Sequence, residues 1–208
     1  MSNTEISTDL KTRILDASKK LFHDKGFFET KTRNIAKDAG TSESGLFRVF
    51  DNKYNILMAV YNEAWGRVND KIDEVLSAKN ESDPRENIIL IVKTLWEYYS
   101  EDPLTIAFII MNTGNTDTLL VERKGNAYVT EENSKYIERI EKLSEFCTEK
   151  KLVSDILTSR SLCEGILGIS EGVLLGWYLA DKTKNQYAEK VSTDDAEQLL
   201  KLLLYGKL

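Results

Sequence analysis

Histidine occurs once in this chain, cysteine twice and proline twice. The lone histidine, His23, cannot supply a paired zinc motif, and with Cys147 and Cys163 far away in sequence it makes no convincing nucleophile–base couple. Two isolated cysteines are too few for a disulfide scaffold and read as small apolar packing residues of a reducing compartment. No glycine loop of the phosphate-cradling kind is present. The acidic pairs Glu131–Glu132 and Asp194–Asp195 stand at helix starts, where they complement the helix dipole. No catalytic residue, metal site or cofactor is therefore expected. The opening MSNTEISTDL lacks a positive segment followed by an apolar one, so no secretion signal is read and a cytoplasmic protein is expected.

Length and charge set looser bounds. A chain of 208 residues is long enough to bury a substantial core. Its net charge of −6 argues against a protein that coats nucleic acid along its whole surface. The charge is uneven, however. Residues 1–55 carry ten Lys/Arg against eight Asp/Glu, net +2, and the remainder is net −8. A mildly basic head on an acidic body suits a protein that presents one end to a polyanion.

Apolar residues recur with helical spacing from end to end. Leu10, Ile14, Ala17, Leu21 and Phe22 form one stripe over 9–25, which Gly26 ends. A second helix is expected to start at Thr30 or Thr32, either of which can cap it, and a third runs from Glu43 to about Phe50. Ile14, Leu21, Phe22, Ile35, Ala39, Leu46 and Phe50 then make a small core, which a long helix over 52–76 (Leu57, Val60, Ala64, Val68, Ile72, Val75) should brace. The N-terminus of that long helix is read as a place for a phosphate. Pro84 opens the next helix, and Glu101-Asp102-Pro103 breaks it. An apolar helix over 104–111, a loop over 112–118 and a helical segment over 119–128 are expected to follow. An amphipathic helix over 131–150 comes next, then an element from about 154 through 180 with Ser159 as a place for a break, and a last helix opens on a capping box at Ser192.

The stretch KTRNIAKDAGTSESGLFRVFDNK, residues 31–53, is the organising element. Ile35, Ala36 and Ala39 give one short apolar face, Gly40 supplies a turn, and Ser42 caps a second short helix whose face is Leu46, Phe47 and Phe50. Two short helices about a glycine turn describe a helix-turn-helix, whose second helix enters the DNA major groove. The order F-x-x-x-G-[FY], I-A-x-x-A-G, L-F-R-x-F and x-x-K-x-x-[IL]-L across about Thr12 to Val60 resembles the N-terminal domain of the TetR family of transcriptional regulators. The resemblance implies an all-α fold in two parts: a DNA-binding head over 1–55 and an effector-binding, dimerising body over 56–208.

In that head, Arg33 and Arg48 are the base-reading candidates, because arginine is the commonest bidentate donor to guanine O6 and N7. Ser42, Glu43, Ser44 and Gly45 lie at the start of the recognition helix. Lys31, Thr32 and Lys53 are read as phosphate contacts, which position without reading sequence. Phe47 stands where the family usually has tyrosine, so a hydroxyl contact is absent. Glu43 either accepts from a cytosine N4 or merely repels phosphates, and the second is the expectation.

In the body, Trp96, Tyr99, Phe108, Met111, Tyr128, Phe146, Trp177 and Tyr178 are pocket candidates, against the reading that they simply fill the core. Leu162, Ile166, Ile169, Val173, Gly176 and Ala180 alternate four and three apart, a seam pattern, and Gly165, Gly168, Gly172 and Gly176 lie on a nearby face. This run has the length of a membrane span but contains Glu164 and Glu171, so a homodimer seam shared with Leu199 and Leu203 is preferred over a membrane helix. The resulting expectation is a homodimeric repressor on double-stranded, near-palindromic DNA, released by a small-molecule effector. The competing reading is an all-helical ligand carrier or interaction protein whose head has lost DNA.

Overall fold

In the computed structural model, residues 3–79, 83–101, 131–183 and 192–206 are described, and the regular structure among them is entirely helical. Eight helices follow in order: α1 (Asn3–Lys25), α2 (Thr32–Asp38), α3 (Glu43–Val49), α4 (Lys53–Lys79), α5 (Pro84–Glu101), α6 (Glu131–Glu149), α7 (Ser159–Thr183) and α8 (Thr193–Tyr205). The expected elements over 104–128 lie outside the described residues. So do Phe108, Met111, Tyr128 and the side chain of Tyr99.

The first three helices close on the seven residues that periodicity selected. Ile14, Leu21, Phe22, Ile35, Ala39, Leu46 and Phe50 are all buried. Gly26 ends α1 at φ 80°, its N–H returning to Phe22 O at 2.9 Å. Neither threonine caps α2. Lys31 holds the N-cap position with no side-chain bond. Thr30 faces backward instead, its buried hydroxyl lying 2.7 Å from Gly26 O and 3.1 Å from Leu21 O. It satisfies the carbonyl end of α1, where orphan acceptors need a donor.

Helix α4 is the spine. Its 27 residues span about 40 Å. It packs on α1 as well as on α5 and α6. The 55/56 boundary falls within its first turns, so head and body share a rigid element rather than a linker. Polar clamps add to the apolar packing. Asn69 donates to Glu132 O (2.7 Å) and to its carboxylate (3.1 Å), Asn62 accepts from Glu132 N–H (3.4 Å), and Arg139 pairs with Asp73 (2.9 Å). The start of α6 is thereby fastened to the middle of α4.

Helix α7 corrects the expected seam. Leu162, Ile166 and Val173 are buried inside the chain's own core, against α5, α6 and α8. The four–three alternation marked the stripe the protomer itself needs. Ile169, Ala180 and Leu203 are half-buried, while Gly176 and Leu199 are exposed. The uncovered face lies elsewhere on the same helices: Gly168, Gly172, Leu175, Gly176 and Leu179 on α7, with Leu199 and Leu202 on α8. Of the four α7 glycines, only Gly165 is closely approached within the chain, since a Cβ there would meet a Leu203 methyl at 3.3 Å. The Ser159–Ala180 stretch is long and apolar enough to cross a membrane by length and composition.

Ser192 caps α8 as expected, accepting from Asp195 N–H at 3.0 Å. At the end of α6 a different residue takes the left-handed turn: Lys151, at φ 54°, lets Leu152 N–H reach Cys147 O at 2.9 Å. A side chain in this conformation costs about 1 kcal/mol, part of which glycine returns through its freer unfolded chain. Lys151→Gly is expected to stabilise the fold by about 0.5 kcal/mol. A denaturant midpoint that stays put or falls would show that the lysine side chain compensates its backbone.

Candidate nucleic-acid interface

The α2–α3 turn is built by three local devices. Gly40 adopts φ 66°, allowing Thr41 N–H to return to Ala36 O at 2.9 Å. Arg13, on α1, reaches across to donate to Ala39 O at 2.6 Å and holds that turn against the first helix. Ser42 caps α3 by accepting from Gly45 N–H at 3.1 Å, and its hydroxyl lies 2.9 Å from that of Ser44. Gly45 is buried, and a Cβ there would lie 2.3 Å from Thr41 Oγ1, so it is a packing residue rather than a reaching one.

On the outer side of this frame stand Lys31, Arg33, Lys37, Phe47 and Arg48, all exposed. Among the described residues, no hydrogen bond or ion pair engages Arg33 or Arg48. Arg33, Lys37, Ser42 and Glu43 line one open depression over Ala36 and Gly40. Two guanidinium groups with free donors, one in the first turn of α2 and one in the last turn of the capped α3, are of the kind that base-edge readout uses.

Two predicted phosphate contacts sit differently. Lys53 turns back beneath the head. Its ammonium donates to Phe27 O (2.7 Å), Thr30 O (3.0 Å) and Phe28 O (3.4 Å), and lies 4.4 Å from the centre of the Phe27 ring. Burial lowers its pKa from the usual lysine range, against the opposing pull of Glu29. Thr32 donates its hydroxyl to the Glu43 carboxylate, joining the starts of α2 and α3. The start of α4 is itself capped by Asn52, whose Oδ1 accepts from Asn55 N–H at 2.8 Å, so that acceptor already occupies one of the free N–H groups.

The described pocket candidates in the body do not converge. Trp96 and Trp177 are buried edge to face, ring centres 6.4 Å apart, with Trp96 Nε1 donating to Ser170 O at 3.2 Å. Phe146 is 46% exposed beneath the Lys150 ammonium, on the outer surface. Tyr178 is half-buried. The sequence reading missed a tighter cluster: Trp65 packs on Tyr136 at 5.0 Å, and the Tyr136 hydroxyl lies 3.0 Å from Ser170 Oγ. Burial pushes the Tyr61 hydroxyl up to about 12 and raises Tyr136 and Glu171 as well. The signal for Tyr61 and Trp65 was their four-residue spacing along α4.

Residues 14–60 match the family described as bacterial regulatory proteins, tetR family. Residues 14–60 form a head of the tetR family. Over 199 residues the chain is 24% identical to the HTH-type transcriptional regulator YdgC of Bacillus subtilis (strain 168), covering 94% of this chain and 91% of that one. It is 25% identical over 80 residues to the fatty acid metabolism regulator protein of the same organism, a match that spans 38% of this chain and only 40% of the relative. Its fold resembles that of the fatty acid degradation regulator FadR from Bacillus halodurans, with TM-score 0.72 and 22% identity over 93% of this chain and 94% of that one. It also resembles FadR from Bacillus subtilis in complex with stearoyl-CoA, with TM-score 0.69 and 17% identity over 95% and 99% of the two chains. The match gives residues 14–60 the DNA-binding head of a bacterial transcriptional regulator.

Proposed function

We infer that this regulator is a cytoplasmic, non-enzymatic homodimeric repressor, released from a near-palindromic operator by a small-molecule effector held in the body. Residues 1–55 act as the reading head and 56–208 as the effector and dimer part. The observation that carries the DNA half is the pair of exposed, unengaged guanidiniums on the two helices of the motif, Arg33 in the first turn of α2 and Arg48 in the last turn of α3. Ser42, Ser44 and the Phe47 ring complete the groove-facing surface, and Lys31 supplies the phosphate contact.

The release half is supported by the clamps on α4. An effector that moves α6 pulls Asn69 and Asp73 with it, and α4 carries the movement to the head. The effector must bind the misfit state more tightly to shift the population. Names of the relatives point to the effector class: fatty acid regulators, one of them solved with stearoyl-CoA. A long-chain acyl thioester is the first candidate.

The test is selection of bound sequences from a random duplex pool by the full chain, followed by stearoyl-CoA titration of the winning complex. A two-fold symmetric site, with binding that falls steeply with salt and is lost on adding the thioester, is the expected result. Enrichment without release by stearoyl-CoA removes the acyl assignment alone. No enrichment by a folded dimer, with or without the thioester, overturns the repressor.

A further inference from the structure

Resting on the DNA-reading role above, we propose that Glu43 is a specificity residue that reads a cytosine in each half-site, with Thr32 as the residue that positions it. A free glutamate at the groove would be a liability, because it repels phosphates and must lose rotamer freedom before it reads anything. Here the second cost is met on folding. The Thr32 hydroxyl, from the start of α2, donates to Glu43 Oε1 and fixes the carboxylate across the mouth of the motif. The carboxylate stays exposed, and among the described residues no cation pairs with it, although Arg33 and Lys37 line the same depression.

An ionised carboxylate only accepts hydrogen bonds, and one accepted bond leaves Oε2 and a further lone pair on Oε1. The major-groove edge offers it two donors, cytosine N4 and adenine N6. On its own edge adenine sets the N7 acceptor beside its donor and so repels a second carboxylate oxygen, whereas cytosine has only C5–H there. Cytosine is therefore preferred. The paired guanine presents O6 and N7, the groups that an arginine takes bidentately, and Arg33 on the same depression has its donors unengaged. One C·G pair can thus be read from both sides. The negative charge that looked like a repeller becomes a filter against guanine and thymine, whose groove edges carry no donor for it.

The experiment is parallel sequence selection with the full-length wild type, Glu43→Ala, Glu43→Gln and Thr32→Val, each shown folded by its thermal transition. The wild type is expected to enrich cytosine at one fixed position of each half-site. Glu43→Ala loses that preference by about tenfold while every other position keeps its own. Glu43→Gln moves the preference to adenine, because an amide presents the donor and acceptor that match N7 and N6. Thr32→Val keeps cytosine but weakens the preference several-fold. If Glu43→Ala instead tightens binding to all sequences alike and leaves the selected site unchanged, Glu43 is only a repeller and the proposal is wrong. If the wild type enriches nothing, the DNA-reading role fails first, and this assignment with it.

Discussion

Lys53→Met is expected to destabilise the head by about 2 kcal/mol and to weaken operator binding on all sequences equally, without removing a phosphate contact. The ammonium has three N–H groups, and three carbonyls of the α1–α2 turn take them: Phe27 O, Phe28 O and Thr30 O. Methionine keeps most of the side-chain volume over Phe27 but leaves those acceptors without their charged donor. Hydrogen bonds to a charged group are each worth about 1.5–3 kcal/mol, yet burial of the ammonium has already lowered its pKa, so part of that gain offsets desolvation. The loss should therefore sit nearer one strong bond than three. The sign with pH follows from the same direction. A lysine whose folded pKa is lowered favours its neutral form in the folded state, so its charged form costs stability throughout the range below the folded pKa. That cost is relieved only as pH rises through the folded pKa toward the usual lysine range. The latch therefore rests on its N–H donors to the three carbonyls rather than on the charge, whose burial costs more than the pull of Glu29 returns.

Salt dependence separates the latch from a phosphate-binding lysine. Each phosphate neutralised contributes about 0.9 to the slope of log K against log salt, so removing one phosphate-bound lysine from each head of a dimer would lower the slope by about 1.8. A latch leaves the slope unchanged and shows instead as lower protection of amides in α1 and α2 against hydrogen exchange. A reduced slope with an unchanged melting transition would return Lys53 to the DNA surface.

The head was largely legible because its determinants are close in sequence. A glycine four residues after the last buried position, a serine three residues before Gly45, and apolar residues at helical spacing all act within a turn or two. Lys53 and Arg13 were not legible, because each binds a carbonyl 26 residues away and nothing in its own neighbourhood marks it. Thr30 illustrates a tie that local rules cannot break. A threonine just ahead of a helix is a good cap, and only the nearness of Gly26 O and Leu21 O decides that it serves the preceding helix. Helix α7 misled for a related reason. Periodicity reports where the strongest apolar stripe lies, and a protomer buries that stripe in itself before offering anything to a partner. The uncovered face had to be read from what the core left exposed, and glycines carry little hydropathy signal. The body pocket was the least legible, since aromatic residues fill cores and line cavities alike, and five of the eight residues named lie outside the described residues or on the outer surface.

The double substitution Leu175→Glu with Leu202→Glu is expected to yield a folded monomer whose operator affinity falls on the order of 100-fold or more, since two linked half-sites lose their mutual effective concentration. Leu175, Leu179, Leu199 and Leu202 are 44%, 46%, 50% and 48% exposed, and together with Gly168, Gly172 and Gly176 they make one apolar face across α7 and α8. Nothing lies within 4 Å of a Cβ built at any of these three glycines. A helix that accepts three such residues on one side forgoes about 1 kcal/mol at each relative to alanine. That loss is recovered if a second helix approaches where side chains would hold it off. Two-fold pairing would bring the leucines of both copies together, and burying the rest of such side chains is worth roughly 1 kcal/mol each. The glycines supply a test of opposite sign. Gly172→Ala and Gly176→Ala together should raise the stability of the monomer by up to about 2 kcal/mol, because the added methyl groups meet nothing in the chain itself. The same pair should weaken the dimer, because those methyl groups stand in the partner's path. Sedimentation equilibrium over a dilution series reads the second effect, and thermal unfolding of the Leu175→Glu, Leu202→Glu background reads the first. A charged double variant that still sediments as a dimer and binds the operator as before would place the two-fold axis on another face. Glycine variants that strengthen monomer and dimer alike would mean that the open stripe faces water, and its small residues would then need another cause.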